Sequence, residues 1–226
     1  MFSKIITSAL FAGFCAGLVA ALLQLIFVQP VLLHAELYEG GDLVYSAAEG
    51  ASASQEIPGF DVMRDGLSVL FSALTYVGYA LMMVAFMSIA AERGAVITPR
   101  TGLIWGIAGF VTMHFAPAFS LPPEVPGMAS ADLTARQVLW CSTAAATGVA
   151  IAMIALGQRP LFWMIGAALL VLPHLIGGPA PDIFTGPLPP ELASLFAVRA
   201  LGVGLAGWAV LGCLCGFFWQ RETADA

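Results

Sequence analysis

Charged residues are scarce in this chain of 226 residues: they make up 10% of it, where a soluble protein carries roughly 25%. So little charge does not cover a water-facing surface of that size. Basic residues are fewer still. Eight Lys+Arg stand against fourteen Asp+Glu, too few to neutralise a phosphate backbone, which excludes a nucleic-acid binder. Cysteine is sparse as well. Cys15, Cys141, Cys213 and Cys215 all fall inside apolar stretches, where they behave as small hydrophobes and build no disulfide scaffold. Cys213-Leu214-Cys215 lacks the paired spacing of a zinc site and reads as packing. Signatures of catalysis are missing too. G-x-x-x-x-G-K-[ST], H-E-x-x-H and G-x-S-x-G do not occur, so the chain is no P-loop ATPase and shows no standard spacing for an intramembrane hydrolase.

What is abundant is apolar: 60% of the residues are hydrophobic and the mean hydropathy is +0.92. At about 20 apolar residues per crossing, that is enough for six helices. The expected fold is all-α, a polytopic transmembrane helical bundle forming one integral membrane domain over residues 1–226. Spans are expected at about 5–33, 67–91, 101–119, 138–156, 161–176 and 200–219, arranged as three helical hairpins over roughly 1–93, 100–157 and 160–221. The first run, Ile5 to Leu33, is too long for a signal peptide, whose apolar core is only about 7–15 residues, and is read as a retained helix. The fifth is the weak span. Its 16 residues reach about 24 Å at 1.5 Å each, short of a hydrocarbon core of roughly 30 Å, and Pro173 is expected to interrupt it; a re-entrant segment is the alternative. Gly13/Gly17, Gly102/Gly106 and Gly212/Gly216 recur at helical spacing, which reads as close helix packing.

Six spans put both termini on one side. Lys4, Arg93, Arg100, Arg159 and Arg221 would then be cytoplasmic, against Arg64, Arg136 and Arg199 outside, and the positive-inside rule favours cytoplasmic termini. In that arrangement Glu36, Glu39, Asp42, Glu49, Glu56, Asp61, Asp65, Glu124, Asp132, Asp182 and Glu191 all lie outside, many of them around an acidic loop at 40–65. Two readings stand: solvated loops that simply carry charge, or a mouth that attracts cations.

The hairpins share a loose internal pattern. His34, His114 and His174, the only histidines, sit near the ends of the first helices; a loop with Pro and Glu follows; then Arg64, Arg136 or Arg199 opens the returning helix. Leu121-Pro122-Pro123-Glu124 even matches Leu188-Pro189-Pro190-Glu191. Hairpin repeats with a substrate site between them are frequent in transporters. Singly, each histidine reads as an interfacial residue satisfied by water or backbone; together, with carboxylates nearby, they read as metal ligands. The candidates are His34, Glu36, Glu39, His114 and His174, with Glu124 and Asp182 adding negative potential. A helix continuing past His34 puts Glu36 and Glu39 on one face at i,i+3. Pro117 is expected to fray the helix end at His114, and Pro173-His174 through Asp182 carries too much Pro and Gly for continuous helix. Mixed imidazole and carboxylate donors suit Co²⁺, Ni²⁺ or Zn²⁺ better than Mg²⁺. For the donors to share one ion, His114 and His174 would have to approach within about 10 Å, with Glu36 or His34 facing the same cavity.

Four blocks of sequence carry a family resemblance. They are Gln29-Pro30-Val31-Leu32-Leu33-His34-Ala35-Glu36-Leu37-Tyr38-Glu39; His114, Pro117 and Leu121-Pro122-Pro123-Glu124-Val125-Pro126-Gly127; Ala131-Asp132-Leu133 with Arg136-Gln137; and Pro173-His174-Leu175 with Gly178-Pro179 and Pro181. In this order and at span boundaries they resemble the CbtA family, the probable cobalt transporter A subunits of bacteria. The likeness covers nearly the whole chain. It implies a multi-pass protein of the bacterial inner membrane that is not an enzyme and takes up divalent cobalt, or nickel or zinc, as a transported ion with no permanently bound cofactor. It further implies a small single-span, His-rich CbtB-like partner subunit, alongside membrane lipid. Rival readings are a metal-dependent intramembrane enzyme using the same His/Glu cluster and a non-catalytic assembly or sensor subunit.

Overall fold

A computed structural model describes residues 2–46 and 58–224. Residues 47–57 of the acidic loop, Glu49 and Glu56 among them, lie outside the described residues. The described chain is helical, with no strand element, and forms six helical rods. The first joins α1 (Phe2–Leu23) through a π segment, Gln24–Val28, to α2 (Gln29–Glu39). The second is α3 (Val62–Glu92). The third joins α4 (Pro99–Phe110) through a second π segment, Val111–Phe115, to α5 (Ala116–Ser120). Then come α6 (Leu133–Leu156), α7 (Pro160–Ile176) and α8 (Pro190–Ala224). Five rods are long and apolar enough to cross a membrane. The sixth, α7, has 17 residues and falls short of that length.

Local chemistry sets the helix starts. Asp61 accepts from the Arg64 amide at 2.7 Å and Asp132 from the Ala135 amide at 2.9 Å, so a carboxylate fills an orphan donor in the first turn of α3 and of α6. At α4, Thr98 and Thr101 exchange hydroxyl–amide bonds of 2.8 and 3.2 Å, a reciprocal cap, just before and after Pro99. Pro160 and Pro190 open α7 and α8, where their missing amide hydrogen costs no helical bond. Two prolines behave differently from expectation. Helix continues through Pro173 to Ile176, because a proline in the last turn removes a single ladder bond, and the break comes at Gly177, whose φ of +86° favours glycine. Pro117 does not fray its helix either; it occupies the first turn of α5, where a proline's fixed φ is helical already.

The described chain divides into two compact packing units that interleave along the sequence. One comprises Met1–Val28, Gly59–Phe110 and Gly202–Ala226; the other comprises Gln29–Pro58 and Val111–Leu201. In the first unit, α1 lies along α3, with Ala9, Ala12, Ala16 and Ala20 buried. A methyl at Gly13 would press on the main chain at Val77, and one at Gly17 on that at Ala73. Likewise Gly102 and Gly106 of α4 meet Gly212 and Gly216 of α8, backbone against backbone. All three glycine pairs are thus contact surfaces. Lipid offers no hydrophobic gain for helix pairing, so close approach of small residues supplies the dispersion energy that holds the pairs together. The same unit buries Asp65, 2% exposed, whose carboxylate accepts from Arg64 Nε at 2.7 Å and from the Asp61 amide at 2.9 Å.

In the second unit α6 packs along α7 and against the second π segment and α5. Trp163 Nε1 donates to the Gly157 carbonyl at 3.1 Å and ties the short α6–α7 turn. A small apolar cluster of Ala35, Tyr38, Leu43, Val125 and Leu188 joins the end of α2 to the segments that follow α5 and α7. Val125, just after one copy of the Leu-Pro-Pro-Glu string, and Leu188, opening the other, are buried together in this cluster. Gly127 sits at a φ of +82°, where a methyl would strike Leu188 and crowd Glu39.

Candidate functional site

All seven residues singled out from the sequence lie in the second unit. The structure distributes them over three places in it.

The first place is the end of α2. The helix runs unbroken from Gln29 to Glu39, so Glu36 and Glu39 share a face, as their spacing requires, and both are exposed. His34 is half-buried and its ring lies 5.6 Å from that of Tyr38, one turn on. Its Nε2 is buried and makes no hydrogen bond, an orphaned nitrogen of the kind that a proton donor or a cation satisfies. Glu39 borders the Gly127–Leu188 contact, so the acidic face of α2 lies beside the packed loops.

The second place is the stretch from the second π segment to the start of α6. Glu124 does not contribute a free negative charge: its Oε2 receives Arg136 Nη2 at 2.6 Å, with the two side chains 22% and 28% exposed. Arg136 thereby finds the carboxylate that an arginine at a helix start in membrane needs. His114 is apart from this pair, in the π segment Val111–Phe115, half-buried. Inserted π turns recur at functional sites because they re-aim side chains by one position.

The third place is the end of α7. His174 Nδ1 lies 3.4 Å from Ser120 Oγ, and its ring meets Phe119 edge-on at 4.8 Å. Ser120 and Phe119 are the last residues of α5, so α5 and α7 end together. Asp182 is exposed, beside the exposed side chains of Ile183 and Phe184.

Among the described residues, no three His, Cys, Asp or Glu side chains are placed to hold one metal ion. The convergence of His114 and His174 with Glu36 or His34, expected if they shared an ion, is therefore not formed. Three of the seven candidates have a nearer partner: His34 has Tyr38, Glu124 has Arg136, and His174 has Ser120 and Phe119. Sequence reasoning missed Tyr38 and Ser120. Tyr38 was visible at i+4 from His34 on a continuing helix; no signal along the chain connects Ser120 to His174, 54 residues away.

Comparison with curated proteins and with solved structures returns no match. The family model of the probable cobalt transporter subunit (CbtA) matches residues 2–220. A multi-pass helical protein is consistent with that description. With almost its entire length matched, the chain belongs to the CbtA family of probable cobalt transporter subunits.

Proposed function

We propose that the chain is the permease component through which a divalent transition-metal ion, cobalt by its family, enters across the bacterial inner membrane. The observation that carries this reading is the family match over residues 2–220. Supporting it, the imidazoles and carboxylates suited to a borderline divalent ion all belong to one packing unit. Cobalt is the cargo here and no resident cofactor is required. An ion that has to leave again is served by a succession of partial coordination shells, since conduction needs binding favourable enough to enter and weak enough to release.

In this reading Glu36 and Glu39 meet the ion first because they are exposed, and His34 follows with its unpartnered Nε2. His114 and His174 lie on the rods that end in α5 and α7 and take the later positions. Asp182 adds charge at the mouth, and Glu124 serves mainly to hold Arg136. Both termini face the cytoplasm, and the family's description as a subunit fits a partner, for which a small single-span, His-rich CbtB-like protein supplies additional imidazole.

Cells expressing the chain with such a partner should accumulate more cobalt than cells without it. Glu36→Ala and His114→Ala should each remove most of that gain while membrane abundance stays unchanged. Accumulation by both variants equal to that of the parent would remove these residues from the path.

A further inference from the structure

Among the described residues four polar side chains are buried: Ser8, Asp65, Thr143 and Thr147. Asp65 is held at a helix start by Arg64 and the Asp61 amide. The two threonines are a different case. They stand one turn apart on α6, 1% and 0% exposed, and share its buried residues with Ala144 and Ala150. This helix is long and apolar enough to cross a membrane. Thr147 precedes its nearer end, Leu156, by nine residues, about 13 Å of helix, and Thr143 lies deeper still. At that depth lipid offers a hydroxyl no hydrogen-bond partner.

A threonine inside a helix ordinarily returns its hydroxyl to the carbonyl three or four residues back. Thr147 Oγ1 is buried and makes no hydrogen bond. An unpaired buried hydroxyl costs stability, a cost that an apolar side chain of the same shape avoids. Packing therefore does not account for a threonine here. Its neighbours connect it with the candidate donors. The helix packs against the π segment Val111–Phe115, which carries His114, and a methyl group on Gly148, the residue after Thr147, would lie 3.4 Å from Thr112 Cγ2 in that segment. All of these residues belong to the second packing unit. Ser8 Oγ is also unpartnered, but it belongs to the first unit, which contains none of the candidate donors.

We propose that Thr147, with Thr143 one turn before it, is an uncharged station for the metal ion inside the membrane. The inference rests on the transport reading and extends the route from the exposed carboxylates into the span. Polar side chains at such depth mark ion pathways, and transporters place substrate sites near the bilayer midplane. A hydroxyl oxygen gives the ion a lone pair in place of a water of hydration and adds no charge. Such an oxygen holds the ion weakly, which release requires.

The test is the initial rate of cobalt uptake at saturating external cobalt, in the cells that test the transport reading. Thr147→Ser loses a methyl group; Thr147→Ala loses the same methyl and the hydroxyl, so the comparison isolates the oxygen. The serine variant should keep at least half of the parent's rate. Thr147→Ala and the isosteric Thr147→Val should each lose at least fivefold, while Thr147→Val in detergent melts no lower than the parent. Ser8→Ala, which removes the unpartnered hydroxyl of the first unit, should transport as the parent does. Three results overturn the inference and leave the transport reading standing: equal rates for the serine and alanine variants, a loss in Ser8→Ala as deep as in Thr147→Ala, or a valine variant that melts below the parent. A parent that gains no cobalt removes the transport reading itself, and this inference with it.

Discussion

Arg136 Nη2 and Glu124 Oε2 lie 2.6 Å apart and clasp the segment after α5 to the first turn of α6. The same guanidinium has a buried Nε with no hydrogen-bond partner, so the arginine depends on this carboxylate. Asp132, one turn before Arg136, is engaged with the Ala135 amide at 2.9 Å. The two acids of this short segment therefore have distinct duties: Glu124 holds the guanidinium and Asp132 caps the helix.

A double-mutant cycle measures the first duty. Glu124→Gln and Arg136→Met should each lower the melting temperature in detergent, and the double variant should lose less than the sum of the two. The expected coupling is about 1 kcal/mol, the upper end for a pair that is partly exposed. Additive losses would show that the contact contributes nothing. Cobalt uptake by Glu124→Gln should stay closer to the parent than uptake by Glu36→Ala, because the charge of Glu124 is already offset by Arg136.

Glycines separate into two groups with opposite responses to a methyl group. Gly212→Ala drives a methyl into the main chain of α4 at Gly102 and Gly106 and should cost about 1–3 kcal/mol, the usual penalty of overpacking. Gly202→Ala meets nothing within 4 Å and should leave stability unchanged or raise it by up to about 1 kcal/mol through helix propensity. Thermal melts of the two variants side by side decide this, and a Gly212→Ala protein as stable as the parent would contradict the close α4–α8 contact.

Topology turns on α7. If it crosses, six rods put both termini on one side of the membrane; if it does not, five crossings put them on opposite sides. Reporter fusions at the C-terminus should report a cytoplasmic location, and a fusion after Asp42 a periplasmic one. A C-terminus outside would make α7 a re-entrant or surface helix.

Hydropathy located the helical rods by their centres and underestimated several of their ends. The last span was expected at 200–219, yet α8 starts at Pro190 and includes Glu191 and Arg199; the first was expected to stop at 33, yet α2 reaches Glu39. Charged turns at helix ends are invisible to an apolar average although the ladder continues through them. Glycine spacing was legible because packing demands small residues at fixed intervals, and Gly13/Gly17 and Gly102/Gly106 met partners accordingly. The π segments were not legible. A helix that is apolar on all sides carries no phase, so a one-residue shift at Gln24–Val28 or Val111–Phe115 leaves no trace in the pattern. Among the candidate donors, the shared face of Glu36 and Glu39 followed from local geometry, whereas the contact of His174 with Ser120 came from the packing of separated helices, which no local rule encodes.

At 1.5 Å per residue the 17 residues of α7 extend about 25 Å, some 5 Å less than an average hydrocarbon thickness of about 30 Å. Arg159 precedes the helix and Gly177 ends it, so neither end lengthens the apolar stretch. Most of its residues are exposed and only Gly166 and Pro173 are buried, so if α7 spans, the surrounding acyl chains absorb the mismatch by thinning locally. Lipid chain length thereby becomes a variable acting on the protein: reconstituted cobalt uptake should be faster in vesicles of 14- to 16-carbon chains than in 22-carbon ones, where spanning by α7 stretches its anchors. Rates independent of chain length would mean that α7 does not feel the full depth of the bilayer.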